Sequence, residues 1–283
     1  MQRYKILHRT YYNFTGDVLL GPHTLRLRPR ESHELRVESS FLKITPTATL
    51  RWYRDVEDNS VAVASFDTPT RQLIIESEVV IQQFNLAPLD FLVADYAINY
   101  PFAYTPEEWA VLAPYAGTAG EAPNDSLAEW ITNLWLPDEQ LQTYSLLQRL
   151  TVHIQQTVSY QLREEAGVQT ASETLSCGTG SCRDLANLFM QAARRLGFAS
   201  RFVSGYLHAQ PSALNFGATH AWAEVFLPGA GWKGFDPTTG EVVGTDHIAV
   251  AVARTPDLAP PIAGSYLGPP GASLDVGVWV TDL

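Results

Sequence analysis

Apolar and polar residues alternate in short runs through the first 83 positions. Tyr4-Ile6-His8-Thr10, Leu35-Val37, Phe41-Leu42-Ile44, Val61-Val63 and Leu73-Ile74-Ile75 carry the pattern. Turn signals at Gly21-Pro22, 29–32, Asp58-Asn59 and 67–69 separate the runs. A period of two between turn residues predicts strands, so 1–83 is expected to be an all-β, sandwich-like domain. Residues 84–124 are rich in Pro, Ala and Tyr and predict a wrapped connector, with one short helix near Pro106-Glu-Glu-Trp-Ala.

The period then changes. Asn124-Asp125-Ser126 is an N-cap signal for a helix carrying Leu127, Trp130, Ile131 and Leu134. A second helix is expected over 139–158, with Leu141, Tyr144, Leu147, Leu150 and Ile154 on one face. A third follows Cys182, where Leu185, Leu188, Phe189, Ala192 and Leu196 form a single stripe. Asp184 in its first turn, Arg194 and Arg195 in its last, and Gly197 beyond mark its ends. Strands are expected at 200–208, 219–227, 232–236, about 247–253 and 273–281. Helices followed by antiparallel strands make 125–283 an α+β core.

A chain of 283 residues suits two domains better than one small core. No run of about 18 apolar residues occurs, so a membrane span is not expected. The start, Met1-Gln-Arg-Tyr-Lys-Ile-Leu-His-Arg, has no apolar signal-peptide core, and two Cys make no disulfide scaffold. These features favour the cytoplasm. The net charge of −11 is uneven: no Lys or Arg lies between Gln72 and Gln148, a stretch holding 11 of the 30 acids. Nucleic acid is therefore an unsuitable partner. The acidic middle reads either as a solvated surface or as a wall that attracts cationic amines or basic peptides.

Three residues carry the chemistry. Cys182 follows Gly178-Thr-Gly180-Ser at a helix start, His220 opens an alternating strand 38 residues on, and Asp236 ends another strand 16 later. A helix N-terminus favours a thiolate and offers backbone N–H groups to an oxyanion. An imidazole moves the protons and a carboxylate fixes its tautomer. Both partners are expected to face the helix that carries Cys182. Glu224, Tyr160, His208 and Tyr206 are further candidates for the pocket or the oxyanion hole. Trp222 and Trp232 read as packing, and Cys177 as structural or incidental.

At these motifs the chain resembles the transglutaminase-like superfamily, in particular bacterial members described as transglutaminase-like enzymes or cysteine proteases. The matching segments are Gly-Thr-Gly-Ser-Cys182-Arg-Asp, Arg201-Phe-Val-Ser-Gly-Tyr206, Thr219-His220-Ala-Trp-Ala-Glu and Gly231-Trp-Lys-Gly-Phe-Asp236-Pro-Thr. Tyr4 to Tyr11, Leu25 to Arg30, His247 to Arg254 and Pro260 to Gly264 extend the likeness. The resemblance implies Cys182 as nucleophile, His220 as general base and acid, and Asp236 as the orienting carboxylate. Ser181 and Arg183 depart from the apolar residue and the Gln that the family more often places around the Cys.

The expected function is acyl transfer from a peptide, protein or carboxamide substrate through a thioester, resolved by water (protease or amidase). Transfer to an amine, as in a transglutaminase, is the alternative, and a non-catalytic protein-binding module is a second. A metal or redox site on Cys177, Cys182 and His220 is disfavoured, because Cys-x₄-Cys suits neither a zinc knuckle nor a thioredoxin switch. With no Gly-rich phosphate loop and no His-Glu-x-x-His helix, no cofactor or metal is expected. Oligomeric state has no sequence signal.

Overall fold

The computed structural model describes residues 1–117, 125–136, 139–163, 165–208 and 219–283. Six strands come first: β1 (Gln2–Leu20), β2 (His23–Leu25), β3 (Leu35–Thr45), β4 (Thr49–Arg54), β5 (Ser60–Ser65) and β6 (Thr70–Gln83). The middle of the chain holds β7 (Asn99–Tyr100), α1 (Pro106–Ala116), α2 (Asp125–Ile131), β8 (Leu141–Gln142), α3 (Thr143–Thr157), β9 (Ser159–Tyr160), α4 (Ala171–Cys177), β10 (Thr179–Gly180) and α5 (Cys182–Arg195). Strands return as β11 (Ser200–Leu207), β12 (His220–Leu227), β13 (Gly231–Asp236), β14 (Glu241–Val242) and β15 (His247–Ala253). β16 (Ile262–Ala263), β17 (Tyr266–Leu267) and β18 (Ala272–Asp282) complete the chain. The fold is α+β.

The N-terminal strands form two antiparallel sheets, β17-β1-β6-β3 and β16-β2-β5-β4. Alternation along β1 sends Tyr4, Ile6, His8 and Thr10 inward. Lys5 and Arg9 face out and pair with Glu78 and Glu76 of β6. Val18, Leu73 and Ile75 of one sheet meet Leu25, Ala62 and Ala64 of the other and close a sandwich core.

β18 corrects the sequence reading. Its residues were expected in the 125–283 core, yet it pairs antiparallel with β1, from Tyr4 opposite Asp282 to Phe14 opposite Ala272. Val276, Val278 and Val280 lie opposite Thr10, His8 and Ile6, so their alternation matches the inward face of β1. A period-two strand fits any sheet that offers a complementary edge, and here the N-terminal sheet supplies it.

In the core, α5 packs on the sheet β14-β13-β12-β11-β15. The sequence reading gave α5 one apolar stripe. Instead every residue from Asp184 to Arg194 is buried, because α2, α3 and α4 cover the side turned away from the sheet. α3 begins at Thr143 rather than 139, since 141–142 pair with β7 and Thr143 bonds the carbonyls of Ala97 and Ile98. α1 starts on a Thr105–Glu108 capping box. The N-cap candidate Asn124 lies outside the described residues. No described helix is long and apolar enough to cross a membrane.

The sandwich packs on the back of the core sheet. Tyr4, Ile6, Val79 and Ile81 share one buried cluster with Tyr206, Ile248 and Val250. β15 is an edge strand, and Asn59 covers part of it: its amide donates to the Val252 carbonyl at 2.8 Å and accepts the Val252 N–H at 2.9 Å.

His8 lies in this junction, its Nδ1 3.0 Å from the Tyr206 hydroxyl and its Nε2 2.9 Å from Thr10 Oγ1. Burial lowers its pKa to about 4. The unfolded chain therefore binds a proton near pH 6.5 that the folded chain refuses until about pH 4. Stability should fall as pH drops through this window, by on the order of 3 kcal/mol from His8 alone. Urea midpoints of wild type and His8→Gln, measured from pH 7.5 to 4, should converge as the pH falls.

Candidate active site

The first turn of α5 is built around a buried carboxylate. Asp184 is fully buried, and its oxygens accept from Ser181 N at 2.8 Å, Ser181 Oγ at 2.7 Å, Gln169 N at 2.8 Å and Arg163 Nη1 at 2.8 Å. Burial alone would raise its pKa, but the Arg163 and Ser181 hydrogen bonds outweigh that and hold it below the ordinary carboxylate range. These bonds tie Arg163 and Gln169 to the helix start. α4 ends immediately before it at Gly178, whose φ of +65° suits the left-handed cap. Thr179 and Gly180 then pair in parallel with Ser159 and Tyr160, which sets Tyr160 beside the entry to α5. Cys182 is the first helical residue, where backbone N–H groups are not used by the helix.

β12 and β13 supply the partners. His220 Nε2 lies 2.8 Å from Asp236 Oδ2, and both side chains are buried. That leaves His220 Nδ1 for Cys182, which lies close enough to influence the charge of the ring. Burial pulls the His220 pKa down. The charge and hydrogen bond of Asp236, followed by Cys182, outweigh it and raise the pKa above the ordinary histidine range. Burial likewise pushes Asp236 up, while the His220 charge and hydrogen bond, helped by His247, hold it well below the usual carboxylate range.

The expectation that both partners face α5 does not hold. Ala221, Ala223, Val225 and Phe235 pack on that helix, so alternation turns His220 and Asp236 to the other face of the sheet. His220 is the first residue of β12 and Cys182 the first of α5, so they meet where both elements begin. A bulge in β15 at Val250, opposite Ser204 and Gly205 of β11, adjusts the sheet there. A Cβ on Gly205 would come within 2.6 Å of the Trp222 ring, so glycine is required under that indole.

His247 is the residue whose role the sequence did not disclose. Its Nε2 lies 3.2 Å from the same Asp236 Oδ2 that holds His220. The Gly244 N–H donates to His247 Nδ1 at 3.3 Å, so Nδ1 accepts and the proton sits on Nε2, pointing at Asp236. Thr238 N adds a bond to Asp236 Oδ1 at 2.9 Å. The only early signal was the place of His247 in a strand resembling the family.

His220, Asp236 and His247 also have metal-ligand spacing. In this structure both Nε2 atoms lie within hydrogen-bond distance of one carboxylate oxygen, Asp236 Oδ2. Neither cysteine belongs to this group, and both are free thiols.

A cavity of about 300 Å³ opens over Cys182 and His220. Tyr160, Phe202, Ser204, Thr219, Ala221, Ala259 and a run of prolines help to line it, together with Arg163 and Arg183. Of the four further candidates only Tyr160 reaches it. Glu224 pairs with Arg201 at 2.7 Å, His208 with Asp246 at 3.2 Å, and Tyr206 is buried against His8. Burial, and then the nearby Cys182, raise the Tyr160 pKa, so its phenol keeps its proton. Trp222 packs between Val203 and Val252, and Trp232 under the Arg201 guanidinium at 4.2 Å. Among the described residues, no acid from 72–148 lines the cavity, so the acidic stretch forms no wall there.

Comparison with known proteins bears on the family and the fold. Residues 4–82 match the family described as the bacterial transglutaminase-like N-terminal region, and residues 136–237 match the transglutaminase-like superfamily. An uncharacterized protein of Mycobacterium tuberculosis is 27% identical over 303 residues, which cover 98% of this chain and 91% of the relative. One of Mycobacterium leprae is 26% identical over 290 residues, covering 100% of both. A solved structure described as a candidate cysteine protease from Cytophaga hutchinsonii superposes with a TM-score of 0.75 at 17% identity. It covers 100% of this chain and 91% of its own, and the likeness is one of fold.

His247→Leu should leave a buried carboxylate oxygen and the Gly244 N–H short of a partner, at a cost of about 1–3 kcal/mol. It should also weaken the depression of the Asp236 pKa. Because that depressed pKa stabilises the fold above it and is lost as pH falls through it, acid unfolding of His247→Leu should begin at higher pH than in wild type. Urea midpoints between pH 3 and 6 check this, and His247→Gln, which can still donate to Asp236, should recover part of the loss.

Proposed function

We propose, from the premise that this chain belongs to the transglutaminase-like superfamily, that it is a Cys-His-Asp acyl-transfer enzyme that hydrolyses a peptide or carboxamide bond. One observation carries the reading: Cys182 and His220 line one cavity, and Asp236 holds the far side of the imidazole.

Cys182 Sγ gives its proton to His220 Nδ1 and attacks the substrate carbonyl carbon. The carbonyl oxygen becomes an oxyanion facing two donors, the Cys182 backbone N–H and the Tyr160 hydroxyl. Removing one such donor typically costs about 10²–10³ in rate. His220 returns the proton to the leaving amine or ammonia, the C–N bond breaks, and a thioester remains on Cys182. Water, deprotonated by His220, then releases the acid and the free thiol. Asp236 stays ionised throughout and keeps the ring in one tautomer, with His247 as a second N–H on the same carboxylate. An amine in place of water would make the same site a transglutaminase. Among the described residues, the cavity offers no cluster of acids to collect a cationic amine, which supports water as the acceptor. Two free thiols fit a reducing compartment, and the proposal puts the enzyme in the cytoplasm.

Mass spectrometry of glutamine-containing peptides, incubated with and without a primary amine, tests the reaction. Cleavage or deamidation is expected with or without the amine, whereas a mass gain equal to the amine less ammonia would mark transfer. Cys182→Ala should abolish turnover, Asp236→Asn should lower it by about 10³–10⁴, and Cys177→Ala should leave it unchanged. Turnover that survives Cys182→Ala would sink the reading.

A further inference from the structure

Arg183 follows the nucleophile and lines the same cavity. One edge of its guanidinium is spent on the backbone: Nη2 donates to the carbonyls of Arg163 and Glu165. Carbonyls orient a guanidinium but carry no charge to cancel it. No described carboxylate lies within ion-pair distance, and Nε is buried without an acceptor. The other ionic groups lining the cavity differ. Arg163 is neutralised by Asp184 at 2.8 Å, and Asp257 is exposed to water. A permanently charged, half-buried guanidinium with no described counter-ion is a cost to the folded chain, and a bound anion would offset it. The remaining described walls, with Phe202, Ala221, Ala259 and three prolines, offer no competing charge.

We infer that the cavity takes an acyl group bearing a carboxylate close to the scissile carbonyl, and that Arg183 reads this carboxylate. The inference rests on Cys182 as the reactive thiol. It narrows the substrate class to acidic amides or peptides, with the carboxylate coming from an Asp or Glu side chain or from a chain terminus. Arginine suits the task because its planar fork can grip the backbone on one edge and a carboxylate on another.

Iodoacetate and iodoacetamide deliver the same carbon to the same sulfur and differ in charge. Their rates at Cys182, read peptide by peptide, give a ratio that the exposed Cys177 calibrates within the same chain. The iodoacetate to iodoacetamide ratio should be about tenfold higher at Cys182 than at Cys177. Arg183→Gln should lower it severalfold with little change in the iodoacetamide rate, and Arg183→Lys should retain most of it. A ratio that Arg183→Gln leaves unchanged overturns the inference, as does an equal fall in both rates, which would make Arg183 a loop clamp only. If neither reagent labels Cys182 faster than Cys177, the catalytic reading itself fails, so the two failures are distinct. Protection of Cys182 from iodoacetamide by N-acetylglutamate α-amide would identify a side-chain carboxylate as the recognised group. Protection by N-acetylalanine would identify a chain terminus. Protection by neither at tens of millimolar counts against the substrate assignment.

Discussion

A carboxylate removed from water at Asp236 constrains the rest of the site. An isolated buried charge is costly, so it survives only where donors converge on it. His220, His247 and the Thr238 N–H provide that convergence at 2.8, 3.2 and 2.9 Å. These donors come from β12, β15 and the turn after β13, so the ion links three parts of the core sheet. Whatever displaces one strand also changes the protonation of the ring that faces Cys182.

Asp184 does for the helix what Asp236 does for the sheet. It gathers Ser181, Gln169 and Arg163 into the start of α5, and this fixes both the thiol's helix position and the loop that walls the cavity. The two buried acids therefore set up the two halves of the candidate site independently. The halves meet because α5 lies on the same sheet that carries His220. Behind that sheet the sandwich, joined through Tyr206, Ile248 and Val250, covers a face that would otherwise be an exposed apolar surface.

Charge within the cavity is also divided. Arg163 is matched by its own acid, whereas the described partners of Arg183 are neutral carbonyls. The acidic middle of the chain contributes nothing described to these walls, so its excess negative charge belongs to other surfaces. The cavity that a thiol and an imidazole line thus also carries a cation without a described ion-pair partner.

Local order was legible in the sequence because it follows from residue type and period. The strands of the N-terminal region, the start of α5 at Cys182 and the β11, β12, β13 and β15 segments all follow from alternation, helical spacing and caps. The order Cys182, His220, Asp236 carried the chemistry and the family. Pairing partners were another matter. The valines of β18 alternate equally well for either sheet, and only the free edge of β1 decided their place. α5 showed one apolar stripe because its remaining contacts are made by Ala, Met, Gln and Arg, whose burial depends on covering helices rather than on period. The face on which His220 lies and the second histidine on Asp236 arise from through-space neighbours distant in the chain. A linear sequence specifies which groups exist and which way a strand alternates. Only tertiary packing decides which charges share a dielectric and which hydrogen bonds they compete for.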